Sequence, residues 1–202
     1  MSRPESSDPG ERIDAAGELR RLAEGITPHR TVGLVGLMGA GKTTVGRRLA
    51  QALALPFVDA DEAITTAAGR SIEDIFAERG ECEFRRGERQ VIARLLAGPV
   101  HVLATGGGAF INEHTRAVMK EQAITIWLRA PLDVLMKRVS KRDHRPLLKE
   151  EDPQAVMQRL MDERYPIYAE ADLTIDTANT PHHTAVIAIL AALREYLGQR
   201  VI

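Results

Sequence analysis

From Thr31 onward the chain alternates short β-rich apolar runs with segments of helical period. The runs are TVGLVG (31–36), FVDA (57–60), HVLAT (101–105), ITIWL (124–128) and LTID (173–176). Strands that alternate with helices predict an α/β protein built on a five-stranded parallel sheet covered by helices on both faces. Helix signals punctuate the pattern: Ser71 and Asp74 form a capping box, Pro131 and Pro153 suit first turns, and Gly80, Gly98 and Gly198 suit helix ends. In such sheets ligands bind beyond the carboxyl ends of the strands, so chemistry is expected directly after the five runs.

The first 29 residues break the pattern, being rich in Ser, Pro, Asp, Glu and Arg. Ile13, Ala16, Leu19, Leu22 and Ala23 are spaced as one weak helical stripe. Residues 1–29 are therefore read as a polar N-terminal tail, disordered or weakly helical, and 30–202 as the domain. The whole chain, 202 residues with 44% hydrophobic content, fits one compact domain plus a short appendage.

A net charge of −1 offers none of the basic excess of a nucleic-acid binder. The single cysteine, Cys82, excludes an internal disulfide, and no apolar run approaches the roughly 18 residues of a membrane span. The polar N-terminus lacks the layout of an export signal. The expectation is a cytoplasmic monomer with small-molecule partners, no nucleic acid and no membrane.

Candidate chemistry sits where the sheet predicts it. GLMGAGKTT, Gly36 to Thr44, satisfies GxxxxGK[ST] between a strand and a helix. Its glycines let the backbone turn N–H groups toward phosphates. Lys42 adds a mobile cation, and the Thr43 hydroxyl is a ligand for Mg²⁺. In VDADEAI, Asp59 and Asp61 stand two apart at a strand end, which projects both carboxylates from one side, as metal and substrate ligands or as solvated turn acids. FRRGE, Phe84 to Glu88, reads by itself as a helix-surface pair between Arg85 and Glu88. ATGGGAF places Gly106, Gly107 and Gly108 in a row, either a plain turn or room for a ligand against bare backbone. KRVSKRDHRPLL (137–148) has the composition of a solvated loop or of a lid that brings arginine to phosphates.

Together, and in this order, these segments resemble the shikimate kinase family of P-loop proteins, from about Thr31 to the last helix. The matching residues are Asp59-Ala60-Asp61, Ser71-Ile72 with Ile75-Phe76, Gly80-Glu81 with Phe84-Arg85 and Glu88, Gly106–Gly108, Arg145-Pro146-Leu147-Leu148, and Arg164-Tyr165-Pro166-Ile167-Tyr168. The resemblance implies a three-layer P-loop NTPase fold with a mobile lid over about 137–152, and transfer of phosphate from ATP to the 3-hydroxyl of shikimate with Mg²⁺ as cofactor.

It further implies that Gly39, Ala40, Gly41, Lys42, Thr43 and Thr44 hold the nucleotide phosphates, that Arg145 meets them from the lid, and that Arg138 stacks on adenine. Asp61 would hold the acceptor hydroxyls, Arg85 and Arg164 its carboxylate, and Gly107 and Gly108 would line its ring. Thr43 would bind Mg²⁺ directly and Asp59 through water, and Lys42, Asp61 and Arg145 form the implied catalytic set. One stretch departs from the family: TANTPHHT after the last strand lacks the arginine many members carry, which leaves the contact with the adenine edge open. A related kinase for gluconate or a nucleoside monophosphate, or a nucleotide-binding module without turnover, are the competing readings.

Overall fold

A computed structural model describes residues 9–140, 152–177 and 181–199. Five parallel strands form one sheet: β1 (Thr31–Val35), β2 (Phe57–Asp59), β3 (Val102–Ala104), β4 (Ala123–Arg129) and β5 (Leu173–Asp176), in the order β2-β3-β1-β4-β5. The two central strands are nearly continuous apolar runs, as strands covered on both faces must be. Val32, Leu34 and Val35 of β1 and Ile124, Ile126 and Leu128 of β4 are all buried. Every expected strand is present, within a residue or two of its predicted ends.

Among the described residues the helices are α1 (Pro9–Ala23), α2 (Lys42–Ala52), α3 (Ala60–Ala68), α4 (Ile72–Leu96), α5 (Glu113–Gln122), α6 (Leu132–Val139), α7 (Pro153–Tyr168) and α8 (His182–Gly198), with a 3₁₀ turn at Ala109–Ile111. Helices α1, α2 and α8 pack on one another, while α4 and α5 pack together and α7 meets α6 and the 3₁₀ turn. Caps follow local chemistry. The Ser71 hydroxyl accepts from the Asp74 N–H at 3.0 Å and starts α4. Pro153 occupies the first turn of α7, where its missing N–H costs nothing. Pro131 is instead the residue just before α6.

Gly80 ends the first of two helical pieces within α4. At φ 75° and ψ 172° it kinks α4, and the helix resumes on the far side as far as Leu96. Gly98 and Gly198 lie at helix ends as expected, Gly98 directly after the Ala97 C-cap of α4 and Gly198 as the last residue of α8.

The reading of residues 1–29 as a polar tail requires correction where the chain is described. α1 is a 15-residue helix, and Leu19, Ala23 and Ile26 join the main core. Arg194 of α8 donates to the Leu22 and Glu24 carbonyls at 2.8 and 3.1 Å, satisfying acceptors at the helix end. The implied lid falls almost wholly on 141–151, outside the described residues. Among the described residues no helix is long and apolar enough to cross a membrane.

Leu19 is 5% exposed. Leu19→Ala should therefore lower unfolding stability by about 2 kcal/mol or more through lost burial and a residual cavity. Michaelis constants should not move, and equilibrium denaturation together with steady-state kinetics checks both. A substitution without effect on stability would mean that α1 is not docked in solution.

Candidate functional site

Strand register assembles the site. Leu34 of β1 pairs with Ala104 of β3, and Ala104 pairs with Asp59 of β2. The segments that follow these three residues therefore emerge side by side at one edge of the sheet. They are the loop 36–41, the start of α3, and Gly106–Gly108. β1 lies between β3 and β4, each reached by a crossover from a different direction, and this switch in strand order opens the crevice in which α/β sheets bind ligands. Thr105 pins the edge by donating from its hydroxyl to the Leu34 carbonyl at 3.0 Å.

The first loop closes on glycine. Gly41 is the N-cap of α2 at φ 96°, a conformation costly for any residue with a Cβ, and no side chain caps the helix. The N–H groups of the first turn thus face the crevice with the positive end of the helix dipole behind them. Lys42 Nζ lies back across the loop, donating to the Gly36 and Leu37 carbonyls at 2.7 and 2.9 Å. Arg138 of α6 reaches the same loop, with Nη1 3.4 Å from the Gly39 and Ala40 carbonyls, and burial lowers its pKa. The His182 ring stands on the other side, 3.6 Å from where a Cβ on Gly41 would lie. The pair of histidines after the last strand was visible in sequence, but its approach to Gly41 was not.

Asp59 and Asp61 do not share a strand side as their spacing suggested. α3 begins at Ala60, so Asp59 ends β2 and caps the helix, while Asp61 lies in the first helical turn. The two carboxylates part. Asp59 Oδ1 accepts from the Asp61 N–H at 3.1 Å and its Oδ2 accepts from the Thr43 hydroxyl at 2.8 Å. Asp61 Oδ1 lies 2.9 Å from the position of a Cβ on Gly106. Among the described residues no three His, Cys, Asp or Glu side chains converge as a metal cage. One hydroxyl and one carboxylate in contact do fit Mg²⁺, which keeps waters and phosphate oxygens as its other ligands.

The glycine run makes close approach available. A Cβ on Gly108 would lie 2.5 to 2.7 Å from the Arg85 guanidinium, so the fork rests against bare backbone. Arg164 of α7 donates to the Gly107 carbonyl at 3.2 Å, and the Tyr168 hydroxyl donates to the same oxygen. Burial pushes the Tyr168 phenol up to about 12, keeping it a neutral donor. Gly107 also faces the first loop, its Cβ position 3.6 Å from the Gly36 oxygen and the Met38 nitrogen.

The Arg85–Glu88 pair forms as its spacing suggests, but Glu88 is buried rather than on the helix surface. Glu88 is 1% exposed, pairs with Arg85 Nη1 at 2.8 Å, and turns its other oxygen, which has no hydrogen-bond partner among the described residues, toward Gly106. Burial raises its pKa, against the pull of Arg85, and the nearby Asp61 charge adds to the rise. For Arg85 burial works against the charge, yet Glu88 and Glu81 more than restore it and its pKa is raised. The kink at Gly80 separates two helical pieces whose phases cannot be read as one, which hid the inward face carrying Arg85 and Glu88. Arg145 lies outside the described residues, as do Asn179 and Thr180 of the loop after β5.

Comparison with known proteins agrees with this arrangement. The family model described as shikimate kinase matches residues 38–194. The chain is 56% identical to a shikimate kinase of Caulobacter vibrioides over 176 residues, covering 86% of this chain and 88% of that relative. It is 53% identical to a shikimate kinase of Paramagnetospirillum magneticum over 90% of this chain and 94% of that relative. Among solved structures, shikimate kinase from Acinetobacter baumannii in complex with shikimate superposes with a TM-score of 0.81 at 35% identity, covering 86% of this chain and 98% of the other. With the nucleotide loop, the split carboxylates and the glycine-backed arginines at one sheet edge, the chain belongs to the shikimate kinase family.

Proposed function

We propose that this kinase transfers the γ-phosphoryl group of ATP to the 3-hydroxyl of shikimate, releasing shikimate 3-phosphate and ADP. The observation that carries the proposal is the convergence on Gly106–Gly108. Two guanidinium groups from different helices and the Asp61 and Glu88 carboxylates approach three consecutive residues without side chains, beside the nucleotide loop. A flat, hydroxylated ring carrying one carboxylate is complementary to that set. The forked donors of Arg85 and Arg164 take the carboxylate, and Asp61 accepts from the hydroxyls. Gluconate or a nucleoside monophosphate presents either no ring to lie on the glycines or a dianion where Asp61 would repel it.

Phosphoryl transfer asks the protein for alignment and charge neutralisation. In this reading Gly39, Ala40, Gly41, Lys42, Thr43 and Thr44 hold the phosphates by backbone N–H groups, the Lys42 ammonium and the helix dipole. Arg138 lies against adenine, and Arg145 completes the cationic set from the lid. Asp61 receives the acceptor hydroxyl's hydrogen bond and takes its proton as the new bond to phosphorus forms and the bond to the ADP oxygen breaks. Glu88 holds the Arg85 fork in its plane. Thr43 and Asp59 are the residues that would hold Mg²⁺, which supplies neutralisation of phosphate charge when bound.

Coupled ADP release with purified protein, ATP and Mg²⁺ tests the proposal against shikimate, gluconate and AMP. Turnover should require shikimate, and comparable rates with gluconate or AMP would overturn the assignment. Lys42→Ala should leave a folded protein with turnover reduced about 10²-fold or more, because a donor to developing phosphate charge is lost.

Gly108→Ala separates the two halves of the site. Gly108 has an ordinary φ of −99°, so alanine fits the backbone, but its methyl would collide with the Arg85 fork. KM for shikimate should rise on the order of 10-fold, the scale of one charge-assisted hydrogen bond. ATP affinity measured without acceptor should stay within a factor of about two, because the nucleotide loop is untouched. Loss of ATP affinity with an unchanged shikimate KM would remove Arg85 from the acceptor site.

A further inference from the structure

Helices α3 and α4 enclose a second cluster of buried apolar residues, Ile64, Ile75, Phe84 and Val91, separate from the main core. A cavity of about 560 Å³ opens onto this cluster, a volume within the range of small-ligand sites. Four arginines stand around it, Arg70, Arg79, Arg86 and Arg94, with a single acid, Glu83. Arg86 is paired with Glu83 and Arg70 with Glu78. Among the described residues Arg79 and Arg94 have no acidic partner.

This cavity is not an extension of the acceptor site. Phe84, Gly87 and Val91 follow one another at helical spacing along the face of α4 that lines it. Arg85 and Glu88 are each one residue further on, about 100° round the helix, and face Gly106–Gly108 instead. At Gly87 the face is open, with no atom within 4 Å of where a Cβ would project.

We propose that this cavity binds a small anion carried on an apolar ring, a ring-bearing phosphate or carboxylate. The ring covers the Phe84 and Val91 floor, and the rim arginines meet the charge. Each half alone is weak: an exposed guanidinium binds a free anion poorly in water, and the floor offers little area to a neutral ring. One molecule carrying both takes up the apolar surface and the uncompensated positive charge together, and the guanidinium fork suits either oxyanion.

Isothermal titration of the full-length protein, held with saturating ADP and shikimate, tests the proposal. Phenyl phosphate and benzoate are the ring-bearing probes, and inorganic phosphate and benzyl alcohol are their separate halves. The expected result is saturable one-site binding of at least one ring-bearing anion, about tenfold or more tighter than either half. The double variant Arg79→Ala/Arg94→Ala should weaken it about tenfold or more. Gly87→Leu, which fills the open face without changing charge, should abolish it. Both variants should keep the wild-type melting temperature and substrate constants. Absence of saturable binding overturns the proposal, as does inorganic phosphate binding equally well, an adventitious ion only. Binding that survives both variants overturns it too.

Discussion

The parallel pairing of β2, β3 and β1 is the constraint on which the site depends. Leu34, Ala104 and Asp59 are locked in one row by main-chain hydrogen bonds, and the loop 36–41, the start of α3 and Gly106–Gly108 leave the sheet within two residues of that row. A slip of one residue in either β1 pairing would swap the side chains of β1 between two packed faces and also displace a loop by about 3 Å. The apolar content of β1 and β4 therefore does two jobs. It drives the fold, and it holds the register that puts the Gly36 carbonyl within van der Waals reach of Gly107.

Electrostatics then distributes charge within the frame. Glu88 is a nearly inaccessible carboxylate whose burial is tolerated because the Arg85 fork meets one of its oxygens. Arg85 is in turn held where only glycine backbone can face it. Tyr168 contributes without charge, since its buried phenol stays protonated and fixes the Gly107 carbonyl beside Arg164. Positive charge is thus presented from fixed positions, and the fixing groups lie behind it rather than in front.

Sequence made the strands and the nucleotide loop readable because their signals are local: apolar runs for β1 and β4, and GxxxxGK[ST] for the turn into α2. Glu88 and α1 were less readable, since both depend on partners far along the chain. Whether Glu88 is inside or outside is decided by Gly106 and by the bend at Gly80, and a single helical wheel drawn through that bend assigns the wrong face. Likewise, Leu19 and Ile26 are core residues only because α8 offers them a surface and Arg194 closes the helix end. The two aspartates illustrate a third limit. Their spacing was plain, but strand and helix project side chains differently, and the switch from one to the other falls between them.

That switch explains how two neighbouring acids can serve separate chemistry. Asp59 is committed on both oxygens, one to the Asp61 N–H and one to the Thr43 hydroxyl, so its charge is turned toward the nucleotide loop. Asp61 gives its backbone to that cap while its carboxylate points to Gly106, on the side proposed for the acceptor. Each carboxylate thereby avoids the other's partner. The same division applies to the cations: Lys42 belongs to the loop through the Gly36 and Leu37 carbonyls, and Arg85 and Arg164 belong to the glycine run. In the proposed reaction Lys42 would meet the phosphate oxygens from the loop side and Arg85 and Arg164 the acceptor from the glycine run, so the sheet edge between them need not move.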